Sequence, residues 1–254
     1  MKRKHCWPGL VTDWNGSTMS CRKAGIPSQR KRPTLQSLLS DISHQTKTPI
    51  ANLKMLNETL LTRPVSEEQR KEFLLATGSQ LDKLDFLIQA MVKTSRLESG
   101  MITLEKKDTL VEETLVKAIN GILAPMEKKN IELTVNCRSG MAVSHDSRWT
   151  SEALFNLLDN AVKYTPPGGS IHVSVQNWEM YLKIDVSDTG RGIPEREQAA
   201  IFKRFYREEA VREVDGIGIG LYLAREIITM QGGYIWVTSQ VGKGSTFSVF
   251  LPHG

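Results

Sequence analysis

The sequence predicts an α + α/β protein, a helical hairpin followed by an α/β sandwich whose mixed sheet carries helices on one face. Three observations predict it. Residues 34–98 repeat apolar side chains at helical spacing, with one break centred on Pro64. Residues 101–254 mix period-two and helical patterns in an order that fits no regular βα repeat. The chain has 254 residues, 40% hydrophobic and 24% charged, enough for two modest soluble domains.

Residues 1–33 show no periodicity and carry Pro8, Gly9, Asn15, Gly16, Gly25, Pro27 and Pro33, so they read as a flexible leader. The net charge of +5 is concentrated there. Residues 1–32 hold eight basic residues and one acid, Asp13, against 25 basic and 27 acidic residues in the remainder. The body is nearly neutral, which argues against a nucleic-acid-binding surface. The leader suits either the cytoplasmic flank of a membrane segment or a solvated tail. MKRKHCWPGL has no apolar stretch after its basic residues, so it does not read as a secretory signal, and no apolar run is long enough to span a bilayer. Cys6, Cys21 and Cys137 form no CxxC pair or metal spacing, and read as free thiols in a reducing cytosol.

The first helix shows Leu35, Leu38, Leu39 and Ile42, then Ile50, Leu53, Leu56 and Leu60. After the TRPVS break, Ser66 with Glu67 and Glu68 predicts an N-cap and an acidic first turn. The second helix places Leu74, Leu81 and Ile88 seven apart, with Leu84 and Met91 on the interleaving seam, the spacing of a coiled coil. One such hairpin has too little core, so pairing of two copies into a four-helix bundle is expected. In the second region Ile131/Leu133/Val135, Ile171/Val173/Val175, Leu182/Ile184/Val186, Tyr234/Trp236 and Phe247/Val249/Leu251 predict strands. Helical stretches are expected near 110–127, 147–164, 195–205 and 219–231.

Five motifs carry chemistry. In SHQTKTP (43–49), His44 lies about 200° round the helix from apolar Ile42 and so faces solvent. Pro49 removes its own bond to the Gln45 carbonyl and should bend the helix there. In FNLLDNAVKYT (155–165), Asn156, Asn160, Lys163 and Tyr164 share a face opposite the apolar residues. Amide oxygens suit a hard cation and the lysine suits phosphate, but a solvated polar face is the equal alternative. In DVSDTGRGIP (185–194), Asp188 stands at a strand tip before Gly190 and Gly192, where a carboxylate can accept from a purine amino group. In DGIGIGLYLAREII (215–228), Gly216, Gly218 and Gly220 precede a helix beginning with Leu221 and suit a phosphate, without the spacing of a P-loop or a Rossmann motif. The charged stretch between Phe205 and Gly216 reads as a lid. GKGSTFSVFLP (242–252) reads mainly as a hairpin turn, with Thr246 as a further phosphate contact.

In that order the motifs resemble the cytoplasmic portion of a bacterial sensor histidine kinase. SHQTKTP resembles the phosphoacceptor box, NLLDNAVKYT the asparagine box, DTGRGIP and GIGIGL the two glycine boxes, and IFKRFY the phenylalanine box. The resemblance implies a basic leader over 1–33, a dimerisation and histidine phosphotransfer domain over 34–98, and a Bergerat-type ATP-binding sandwich over 101–254. It implies that His44 takes the γ-phosphoryl group of ATP and that Asn160, with Asn156, holds Mg2+. Lys163 is expected at the phosphates, Tyr164 near the base, and Asp188 at the adenine amine. Gly190, Gly192, Gly216, Gly218, Gly220, Leu221 and Thr246 are expected to line the pocket, with Phe202 and Phe205 anchoring the lid.

The implied activity is autophosphorylation followed by transfer to an aspartate of a response regulator, in a cytoplasmic homodimer with or without a membrane-anchored sensor region. Most members carry Glu or Asp after the histidine, whereas this chain has Gln45, an amide that cannot take a proton. Thr48 matches the position that orients water for dephosphorylating the regulator. The alternatives are a non-catalytic ATP-binding scaffold, which Gln45 favours, and a gyrase-like ATPase or serine-directed kinase, which the hairpin disfavours.

Overall fold

A computed structural model of the chain describes residues 35–208 and 216–253. The basic leader, Cys6, Cys21 and residues 209–215 of the expected lid lie outside the described residues, as do the side chains of Leu35, Leu38 and Leu39.

Two helices, α1 (Leu35–Thr62) and α2 (Glu67–Glu98), pack together across a short turn. Helix α1 runs on through Pro49. Ser66 caps α2 as expected: its hydroxyl accepts the Gln69 N–H at 3.2 Å and the Gln69 side chain accepts the Ser66 N–H at 3.1 Å. Leu74, Leu81 and Ile88 are more than half exposed in the single chain, so this stripe of the heptad seam is largely uncovered. Toward its C-terminus the same helix buries Leu87, Ala90, Thr94 and Leu97. Ala90 and Leu97 join the core of the sandwich, so α2 serves both units.

The sandwich begins with β1 (Lys107–Leu110), α3 (Val111–Asn120), α4 (Leu123–Lys128), β2 (Glu132–Asn136), β3 (Ala142–His145) and α5 (Ser147–Tyr164). It continues with β4 (Ser170–Asn177), β5 (Tyr181–Asp188), α6 (Glu195–Gln198), a 3-10 turn (Ala200–Phe202), α7 (Gly220–Met230), β6 (Tyr234–Gln240) and β7 (Gly244–Pro252). The main sheet has the order β2-β4-β5-β7-β6, with β2 and β4 parallel and the other pairs antiparallel. Helices α5 and α7 pack on each other and on β5, β6 and β7, burying Leu154, Leu158, Ile184, Val186, Ile227 and Val249. A mixed sheet with helices on one face is the predicted arrangement.

Four local expectations need correction. The stretch 110–127 is two helices, because Gly121 ends α3 where a Cβ would meet the Phe155 ring at 2.7 Å. The stretch 195–205 is only one helical turn and a 3-10 turn. On β6 the core takes Ile235 and Val237, while Tyr234 and Trp236 face outward. The short pair β1 and β3, antiparallel to each other, gave no period-two signal.

Outward, Tyr234 stacks on Phe250 at 4.4 Å, Tyr181 and Trp178 meet Phe250 edge-on, and the Lys183 ammonium lies 5.3 Å from the Trp178 ring centroid.

Candidate functional site

A cleft open to solvent lies between α5, the tip of β5 and the N-terminus of α7. Helix α5 is started by Asp146, whose side chain accepts the Trp149 N–H at 3.1 Å. Its 3.6-residue period buries Leu154, Leu157 and Leu158 and turns Asn156, Asn160, Lys163 and Tyr164 to the cleft. The Asn156 Nδ2 donates to the Glu152 carbonyl at 2.8 Å, and the Asn160 Nδ2 to the Asn156 carbonyl at 2.7 Å. Both amide groups are thereby oriented by their own helix, with the Oδ1 atoms left as acceptors. The Lys163 ammonium is 2.6 Å from Asp159 Oδ2.

Asp188 Oδ1 accepts the Gly190 N–H at 2.8 Å and the Ser245 N–H at 3.3 Å. One oxygen is fixed, and the carboxylate lines the cleft with the other free to accept. Burial raises its pKa above the ordinary value, and the two backbone donors oppose the rise. Burial likewise raises the Tyr164 phenol, opposed by the positive charges of Arg207 and Arg191. Two glycines are required by sterics. A Cβ on Gly192, at φ +71°, would overlap the Gln240 carbonyl, and one on Gly218, at φ +76°, would lie 2.6 Å from the Tyr206 carbonyl. A Cβ on Gly220 would approach Asn156 Oδ1 to 2.8 Å.

Of the residues singled out from sequence, the cleft brings together Asn156, Asn160, Lys163, Tyr164, Asp188, Gly192, Gly218, Gly220 and Leu221. Gly190 sits behind it, with no room for a Cβ against the Tyr164 carbonyl. Phe202 is buried against Phe247, and Phe205 packs on the core at φ +57°. Thr246 lines a neighbouring groove and pairs with the Ser187 hydroxyl at 2.9 Å, and Gly216 is exposed outside the cleft. His44, Gln45 and Thr48 are exposed on α1 and line no part of the cleft.

Sequence reasoning missed Asp159, Arg191, Ile201, Ser245 and Phe86, all of which line the cleft. Arg191 Nη2 donates to Glu208 Oε1 at 3.1 Å across its mouth. Asp159 was legible, lying one turn before Lys163. Phe86 carried no local signal, since it comes from the hairpin.

The cleft therefore offers two oriented amide oxygens, a lysine, a half-buried carboxylate and a glycine-rich helix start. Among the described residues no cluster of three or more His, Cys, Asp or Glu side chains is arranged to hold a metal by itself. Amide oxygens are hard donors that suit Mg2+ bound jointly with phosphates. No described helix is long and apolar enough to cross a membrane.

Comparison with known proteins agrees with this arrangement. Residues 34–100 match the His Kinase A (phospho-acceptor) domain, and residues 145–254 match the histidine kinase-, DNA gyrase B-, and HSP90-like ATPase family. The chain is 34% identical to the autoinducer 2 sensor kinase/phosphatase LuxQ of Vibrio cholerae over 95% of its own length and 29% of LuxQ. It is 32% identical to the circadian input-output histidine kinase CikA of Synechococcus elongatus, over 84% of its own length and 29% of CikA. It thus spans under a third of either relative. The fold matches histidine kinase ThkA, solved in complex with response regulator TrrA, with a TM-score of 0.73 at 21% identity over 89% of this chain and 65% of that one.

Proposed function

The chain belongs to the sensor histidine kinases of two-component systems, and from that premise we propose that it autophosphorylates His44 from ATP and passes the phosphoryl group to an aspartate of a response regulator. The observation that carries this reading is the cleft itself: oriented amides, a lysine, an aspartate and close-packed glycines in one sandwich, joined by a continuous helix to a hairpin that displays an exposed histidine. Residues 34–98 are then the dimerisation and phosphotransfer unit and residues 101–254 the catalytic unit. The uncovered seam of Leu74, Leu81 and Ile88 supports a homodimer whose hairpins complete a four-helix bundle.

Each group in the cleft has a task. Asp188 accepts from the adenine amino group, with one oxygen already held by Gly190 and Ser245. Tyr164 packs near the base. Lys163 exchanges Asp159 for phosphate, the stronger partner once nucleotide arrives. Gly218 and Gly220 let the start of α7 approach the phosphates closely. Asn160 and Asn156 would hold Mg2+, which when bound supplies charge neutralisation to the phosphate oxygens.

In the transfer an imidazole nitrogen of His44 forms the N–P bond as the bond to the β,γ-bridging oxygen breaks. ADP leaves, and the imidazole proton passes to solvent or a base. Catalysis of this kind is mainly positioning and charge stabilisation. Gln45 can orient the imidazole but cannot take that proton, which slows the kinase direction. Thr48, one turn beyond His44 and exposed like it, supports a second role in orienting water for dephosphorylation of the regulator.

Incubation with γ-labelled ATP and Mg2+ tests the reading. Acid-labile, base-stable label that is absent from His44→Ala supports it, and an unlabelled parent chain that still binds ATP favours the scaffold that Gln45 also fits. A Gln45→Glu variant should label faster; an unchanged rate removes the role given to Gln45.

A further inference from the structure

Helix α2 contributes directly to the cleft. His44 lies 18 residues before Thr62, the end of α1, and Phe86 lies 19 residues after Glu67, the start of α2. At 1.5 Å per residue both stand roughly 27–29 Å from the shared turn. Phe86 lines the cleft, so the cleft sits level with the phosphoacceptor.

Two polar contacts hold the sandwich at that height. Lys93 Nζ meets Glu152 Oε1 at 2.6 Å, but both side chains are partly exposed, and such pairs fix little. Glu98, the last residue of α2, is different. Its Oε1 accepts from Arg204 Nη1 at 3.0 Å and from the Tyr222 hydroxyl at 2.7 Å. The Arg204 guanidinium also lies 5.6 Å from the Tyr222 ring centroid. The pair is largely buried, with side-chain exposures of 8% for Arg204 and 19% for Glu98. Burial, then the Glu98 acceptor, push the Tyr222 phenol far above its ordinary pKa, so it stays protonated and donates. Arg204 immediately precedes Phe205, whose left-handed φ of +57° is strained for a bulky residue and is held by its surroundings. Beyond that bend Tyr206, Arg207 and Glu208 form one wall of the cleft.

We infer that Glu98 is a positioning residue for phosphoryl transfer: by gripping Arg204 and Tyr222 it ties the Tyr206–Glu208 wall to the end of α2 and sets the bound nucleotide at the height of His44. This rests on the kinase reading above. A strong buried pair is needed here because a small misplacement of a reacting phosphoryl group costs far more in rate than in binding.

The test uses the full chain. Glu98→Gln keeps the side-chain shape and an acceptor for Tyr222 but removes the charge that Glu98 presents to Arg204. His44 labelling at saturating ATP should slow about tenfold, while affinity for a non-hydrolysable ATP analogue stays within about twofold. Tyr222→Phe should give a smaller loss of the same kind. Hydrogen exchange at the amides of 202–208 should rise in Glu98→Gln, and this reads the grip without any catalysis. If the parent chain never labels, the kinase reading falls and exchange alone judges the grip. Parental labelling and parental protection in Glu98→Gln overturn the inference, as does a loss of nucleotide affinity in step with the rate.

Discussion

Replacing Asp188 by Asn separates its two tasks. Asp188 Oδ1 accepts backbone N–H groups from Gly190 and Ser245, and an Asn oxygen can do the same. The other end of the side chain becomes an NH2 group aimed into the cleft, where the 6-amino group of adenine would meet it donor against donor. The charge-assisted hydrogen bond lost is worth about 1.5–3 kcal/mol, which corresponds to roughly 10–150-fold in affinity for an ATP analogue. Stability moves the other way. The folded pKa of Asp188 is raised by burial, so the native state favours the neutral form, and that favour is lost as pH rises through the folded value. A neutral Asn removes this liability, and the melting temperature at pH 7.5 should equal or exceed the parent's. Titration with a fluorescent ATP analogue and with a 6-oxopurine triphosphate is the assay, since the oxo group would accept from Asn. Retention of adenine affinity within about threefold, in a variant that melts like the parent, would refute the assignment of Asp188 to the base.

Further outcomes follow from other contacts. Gly220→Ala puts a methyl at the first position of α7, where it would crowd Asn156 Oδ1; Mg2+-dependent nucleotide binding should weaken by more than the melting temperature falls. Leu81→Lys with Ile88→Glu charges the exposed seam and should turn a dimer into a monomer by sedimentation, leaving the melting of the sandwich unchanged. His145 is buried with its Nε2 at 2.9 Å from the Thr114 hydroxyl and its Nδ1 at 2.8 Å from the Val143 carbonyl. Burial lowers its pKa. The depressed value means stability is present above the ordinary pKa of about 6.5 and is lost as pH falls through the folded one. The loss in melting temperature between pH 7.5 and 5.5 should therefore shrink in His145→Asn.

Much of this molecule is legible because its signals are local. The capping box at Ser66, the heptads of α2 and the two-faced pattern of α5 each lie within one element, where period and chemistry act together. Asn156, Asn160 and Lys163 could be grouped for the same reason. The failures come from tertiary choices. Outward-facing Tyr234 and Trp236 mimic core alternation, Tyr234 because it stacks on Phe250 on the open face, Trp236 while standing largely exposed. The strands β1 and β3 have four residues each, too short to show a period. The pairing of Thr246 with Ser187 across β5 and β7 is likewise a tertiary fact that no local pattern carries. Phe86 and Arg191 reach the cleft only through packing between distant segments.

One feature of α2 reaches beyond stability. A single uninterrupted rod presents an exposed apolar stripe along its first two thirds and seats its end in another unit's core. The same backbone ladder therefore links whatever covers the stripe to the packing of the sandwich. On the way lies Gly78, where a methyl would touch nothing within 4 Å, so alanine there would gain helix propensity of about 1 kcal/mol without a clash. Such an alanine would make the rod that joins the hairpin to the sandwich less prone to local opening.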